Sequence, residues 1–245
     1  MLKSIKFILL FILIGNIALA QDEQQTIPTD SNDHNNEVSF EVLGLIDSQF
    51  LFAYERALGE NFSVKLGLGY KTEDGLLNLK GIDQPNLITD DFTYSGIKII
   101  PEVRYYINKT QSNKLDGFYF GAFMKLSQFK NDLNGNWTDS SDIDYDIKFI
   151  AKYNVTTVGL MVGYKLPIGK HFVIDFLIAG PGAGSYNFKL KNTQDLPQEF
   201  YDDFNEALEE YFQSIDLDFD LSEIDEKLDF VLPSFRYGVS LGYQF

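Results

Sequence analysis

In the stretch "SGIKIIPEVRYYI" (95–107), Ile97, Ile99, Pro101, Val103, Tyr105 and Ile107 share one face of a strand, while Lys98, Glu102 and Arg104 share the other. "FSVKLGLGYK" (62–71) divides in the same way, with Phe62, Val64, Leu66, Leu68 and Tyr70 set against Ser63, Lys65, Gly67, Gly69 and Lys71. The alternation recurs in eight segments, over about 38–47, 49–57, 62–71, 95–107, 117–129, 153–166, 171–180 and 234–245. The last segment ends the sequence on "FRYGVSLGYQF", whose odd-numbered residues are all large and apolar. A chain built this way is committed to strands with one apolar and one polar face. The even strand number predicts a closed antiparallel barrel.

The same division places Lys65, Lys98, Arg104, Lys125, Lys165 and Arg236, with Glu41, Glu55, Glu102 and Asp175, on the polar faces. Leu43, Leu45, Leu51, Ile100, Phe123 and Met161 are apolar exceptions on that side. A soluble carrier barrel needs an apolar interior, whereas a membrane barrel turns its apolar face to lipid and keeps the charges inside. Reversing the strands would put those charges into hydrocarbon. Even at about 1 kcal/mol each, that cost rivals a typical folding stability of about 5–15 kcal/mol. Ten residues tilted by about 40° cover about 25 Å, the height of a lipid-facing band. Connections at 58–61, 108–116 and 167–170 are short, and those at 72–94, 130–152 and 181–233 are long. The hairpin near Asp47 and Ser48 breaks the rule on the long side. The expected fold class is therefore all-β, an eight-stranded antiparallel transmembrane β-barrel with an acidic, partly helical loop before the last strand. Both chain termini would then lie in the periplasm.

Residues 1–20 read as a signal peptide: Lys3 and Lys6 precede an apolar run that ends in Ala18, Leu19 and Ala20. That run is shorter than the roughly 20 residues a spanning helix needs. Residues 21–37 read as a flexible leader, and 38–245 as the barrel, with an acidic insertion at about 187–232. The chain has no cysteine, which excludes a disulfide scaffold and a Cys-linked lipid anchor. Its formal net charge of −16 and the lack of a basic patch give no support to nucleic-acid binding.

The terminal alternation ending in Phe245 resembles the C-terminal sorting signal read by the assembly machinery of outer-membrane barrels. "FAYERALGENFSVKLGLGY", "IPEVRYYI" and "GFYFGAF" are similar to a family of small outer-membrane barrels of unknown function, OmpA-like or OmpW-like in shape. The resemblance runs from about Val38 to Phe245, and Tyr54, Glu55, Arg56 and the run 101–106 are its most specific parts. It implies residence in the outer membrane of a Gram-negative bacterium, with lipid and the assembly machinery as partners. It brings no catalytic residues, and the acidic insertion is where this chain departs from the family.

The mixed inward charges are expected to interlock as ion pairs, the alternative being a narrow polar path for solutes. In "LPQEFYDDFNEALEEYFQSI", Leu196, Phe200, Phe204, Leu208 and Phe212 recur every four residues beside Ala207, Tyr211 and Ile215. That spacing predicts an amphipathic helix, with Pro197 in its first turn, capping the mouth of its own barrel, or lying on the aromatic rim or on a partner protein. Asp216, Asp218 and Asp220 imitate an EF-hand start, but Leu221 stands where Gly is needed and Lys227 where the bidentate Glu belongs. Looser divalent-cation binding by this acidic stretch stays open. "AGPGAGS" (179–185) lacks the Lys and Ser/Thr of a phosphate loop and reads as a bend. His34 in the leader and His171 at the "PIGK" turn are poorly placed for an outer-leaflet catalytic base, so no enzyme is expected. The expected role is structural or surface-binding through the long loops, with conduit and lipid-modifying enzyme as alternatives. No catalytic, cofactor-binding or metal-binding residue is assigned, and no cofactor.

Overall fold

The computed structural model describes residues 34–73, 75, 80–108, 114–192, 194, 196–211 and 227–245. One antiparallel sheet contains β1 (Asn36–Glu41), β2 (Gln49–Leu58), β3 (Phe62–Lys71), β4 (Leu87–Thr89), β5 (Ser95–Asn108), β6 (Gly117–Thr138), β7 (Asp144–Ile168), β8 (Phe172–Asn192) and β9 (Lys227–Gln244). Helix α1 (Gln198–Tyr211) precedes β9. Eight of these strands close a ring in the order β1-β2-β3-β5-β6-β7-β8-β9, sealed where β9 pairs with β1 from Glu37↔Gln244 to Glu41↔Ser240. The chain is thus an eight-stranded antiparallel β-barrel. β4 stands outside the ring, pairing Leu87 with Trp137 and continuing the edge of β6 that β5 leaves at Ser95↔Lys130.

Outward positions form an exposed apolar band. They include Leu66, Leu68, Ile99, Val103, Leu126, Val158, Leu160, Phe235 and Leu241. At one level the outward residues become polar on four adjacent strands: Leu126 gives way to Gln128, Val158 to Thr156, Ala183 to Ser185, and Val231 to Asp229. These residues are neighbours in register, through Gln128↔Asn154, Thr156↔Ser185 and Asn187↔Asp229. At the opposite, short-turn rim, outward aromatic rings pair up, as in Phe62 with Tyr105, and Phe172 with Tyr243. Among the described residues, Arg56 is a charged exception on the outward face of the band, close to that rim.

Above the polar boundary β6 to β9 continue as a wall that the periodicity analysis assigns to loops. The expected long loop at 130–152 is instead a paired hairpin, Asn131↔Ala151 to Thr138↔Asp144, turning at 139–143. Its outward face is polar and its inward face apolar, so it keeps the alternation, with Leu133, Trp137, Ile147 and Phe149 inside. "AGPGAGS" does not end a strand: Pro181 lies within β8, and the irregularity is a register shift between Leu177 and Gly180. β8 therefore runs to Asn192, past the expected start of the acidic insertion near 187, and β9 begins at Lys227 instead of about 234.

At the other end of the chain β1 starts at Asn36, inside the expected leader, and stops at Glu41. Residues Leu43–Asp47, expected as strand, form a 3₁₀ turn that is closed by Ser48 at φ 49°. Leu43 and Leu45 therefore do not line the lumen, whereas Leu51, Ile100, Phe123 and Met161 do, all buried. The signal segment, the leader before His34 and "DLDFDLSEIDE" lie outside the described residues.

α1 forms where the spacing predicts it. Leu196, Phe200, Tyr201, Phe204 and Ala207 are buried against Leu87, Leu133, Trp137, Ile147 and Phe149. Phe200 and Phe204 both stack on Phe149, and Trp137 meets Phe200 edge-on. The side chains of Leu208 and Tyr211, like Phe212 and Ile215, fall outside the described residues. Because its partners on β6 and β7 lie on the lumen face, the helix covers the mouth of its own barrel. Asp203 fastens it, its Oδ2 accepting from Trp137 Nε1 at 2.9 Å and Asn86 Nδ2 at 2.7 Å.

Candidate functional site: the charged lumen

Strand alternation brings inward residues from opposite walls into one lumen. Arg104 on β5 holds three carboxylates: Glu102 at 2.7 Å, Asp175 at 2.7 Å and Glu55 at 3.3 Å. Lys65 reaches Asp175 at 3.0 Å, and Lys165 bridges Glu37 at 2.7 Å and Glu55 at 2.8 Å. Arg236 closes the set on Glu102 at 2.6 Å. Hydroxyls fill remaining acceptor positions: Tyr106 and Ser63 each donate to Glu55 at 2.6 Å, and Tyr119 donates to Asp175 at 2.8 Å. Four cations thus face four carboxylates, all but Arg236 almost wholly buried. Removing one partner from such a set strands a buried charge, at about 3–5 kcal/mol.

Apolar side chains seal the network toward the short turns. Ala57, Tyr106, Leu115, Tyr119, Phe123, Met161 and Leu177 form one buried cluster. Leu115 and Asp116, from the β5–β6 turn, fold back inside, where Gln244 donates to Asp116 at 2.9 Å. Arg104 and Lys165 also lie over the rings of Tyr119 and Tyr106. Glu37, Glu55 and Asp175 have oxygens within 4.8 Å of one another, a spacing that suits a cation. The cations in place there are the Lys165 ammonium and the Arg104 guanidinium.

Toward the mouth the lumen changes character. Glu41, Lys98 and Lys125 face inward as expected, but Lys98 bonds the side chain of Gln49, and none of the three enters an ion pair among the described residues. Lys71 pairs with Asp47 at 3.3 Å and lies over the Tyr94 ring at 4.5 Å. Tyr94, Phe129 and Tyr153 pack as a trio above it. Burial raises the pKa of both phenols, helped for Tyr94 by the Asp47 carboxylate, so both stay neutral.

All ten inward charges read from the alternation point into this lumen. Glu37 is missed because its polar neighbours place it with the leader, and Tyr106 and Tyr119 because phenols suit either face. His34 and His171 are brought together, ring centroids 4.8 Å apart, at the short-turn rim where His171 stacks on Tyr243. They lie at the opposite end from α1.

A family model described as a protein of unknown function, DUF3575, matches residues 49–221. The chain belongs to that family. The DUF3575 match opens on the first residue of β2 and stops before β9, so the two strands that seal the ring lie outside it. Among solved structures, the crystal structure of Acinetobacter baumannii CarO is similar at 14% identity and a TM-score of 0.39, covering 91% of this chain and 100% of that one. No curated protein matches the sequence.

Proposed function

We propose that this DUF3575 protein is an outer-membrane barrel, OmpA-like or OmpW-like in shape, whose role is structural or surface-binding and not catalytic. The observation that carries this reading is the outward apolar band, ending at one level across neighbouring strands, wrapped around a lumen filled with ion pairs. Lipid is the solvent that such a band requires. The filled lumen argues against conduction, and the tall β6–β9 wall with α1 seated on it supplies the surface a partner would meet. The short-turn rim faces the periplasm in this reading, with the signal segment removed on export.

The test is in two parts. The detergent-folded protein should migrate differently on gels before and after boiling, and a freely water-soluble monomer would refute membrane residence. In planar bilayers the folded protein should give no steady single-channel current. Sustained unitary conductance would instead establish the conduit.

A further inference from the structure

We propose that the upper lumen holds a binding site for a small oxyanion, formed by Lys98, Ser127, Lys125 and Thr157. Strand register assembles these four side chains. Lys98 on β5 is the direct partner of Ser127 on β6, and Lys125 on β6 is the direct partner of Thr157 on β7. Direct partners on one face of a sheet have Cβ atoms about 5 Å apart, and Lys125 and Ser127 are two residues apart on the same inward face. All four groups donate hydrogen bonds.

Two independent observations point to a missing acceptor. Ser127 Oγ and Thr157 Oγ1 are buried with no hydrogen-bond partner, in residues only 3% and 0% exposed. Such orphans are rare in folded proteins unless something binds them. The second observation is charge. In the network below, each cation has a carboxylate, Arg236 being taken up by Glu102, while Lys125 enters no ion pair among the described residues and Lys98, beside Glu41 and Asp47, bonds the Gln49 side chain. An unmatched cation inside a barrel wall calls for a counterion. An oxyanion such as phosphate, sulfate or a carboxylate offers several acceptors to two ammonium and two hydroxyl groups at once. The ion-paired network lies below it, toward the short turns.

The test is isothermal titration calorimetry of the full-length protein, folded in detergent at low ionic strength, with sodium phosphate, sulfate and acetate as probes. One saturable site for at least one of them is expected. Lys125→Gln and Thr157→Val should each weaken it by about tenfold or more, as the loss of a hydrogen bond to a charged ligand implies. Lys152→Gln, on the outward face, should leave it unchanged. Gel mobility before and after boiling reports whether each variant has folded. Should Lys125→Gln not fold, Ser127→Ala joins Thr157→Val in carrying the comparison. No saturable binding of any probe by the folded wild type, or undiminished binding in the folded variants, would overturn the proposal.

Discussion

Arg104 joins three strands of the barrel through one side chain. Its carboxylate partners come from β2, β5 and β8, and no neutral residue can satisfy all three. Arg104→Leu is therefore expected to destabilise the folded barrel by about 3–5 kcal/mol, because Glu55 and Asp175 lose a buried cation while keeping their charge. Urea unfolding in lipid vesicles, followed by tryptophan emission, measures it. Gly163 illustrates a different constraint. A Cβ there would stand 2.3 Å from the Tyr119 ring and 2.6 Å from the Phe176 carbonyl oxygen. Gly163→Ala should cost about 1–3 kcal/mol by overpacking in the same experiment, and a neutral result would mean that Tyr119 swings aside freely. At this scale the inward charges were readable, since a lysine or glutamate inside an alternating run leaves little choice of face. Their partners were not, because pairing depends on which strands stand across the lumen.

Helix α1 was readable from its four-residue spacing, and its seat was not. The seat is the lumen face of β6 and β7 above the apolar band, in a stretch whose Asn, Asp and Gly content reads as loop. Alternation persists there, yet polar outward residues and a glycine at 135 weaken the pattern enough to hide it. Phe200 is wholly buried between Trp137 and Phe149. Phe200→Ala is expected to weaken seating of the helix by about 3–5 kcal/mol. Limited proteolysis should then cut within 198–211 far faster while the folded barrel's gel band, seen before boiling, persists. Asp203→Ala leaves the Trp137 indole N–H unpaired and should produce a milder version, about 1–3 kcal/mol. Identical cleavage rates in wild type and both variants would show that the helix is not held by these contacts.

For the whole molecule, the decisive quantity is the solvent around the apolar band. Leu66 lies midway along β3 on the outward face, 47% exposed. Leu66→Arg should cost about 2–4 kcal/mol in a bilayer, whereas Asn154→Arg, above the boundary, should cost at most about 1 kcal/mol. Equal effects at the two positions would show that the band does not sit in hydrocarbon. Strand number, facing and the rim of short turns were legible because each follows from local alternation. The height of the wall was not, since a strand that runs past the apolar band loses the contrast that announces it. The closing seam carries a further consequence. Gln244 meets Glu37 across 207 positions of sequence, and the buried charges draw on seven of the eight ring strands. A partly curled sheet would hold bare ions with no counterpart, so intermediates short of closure are penalised and assembly becomes cooperative, waiting on contacts between the most distant parts of the chain.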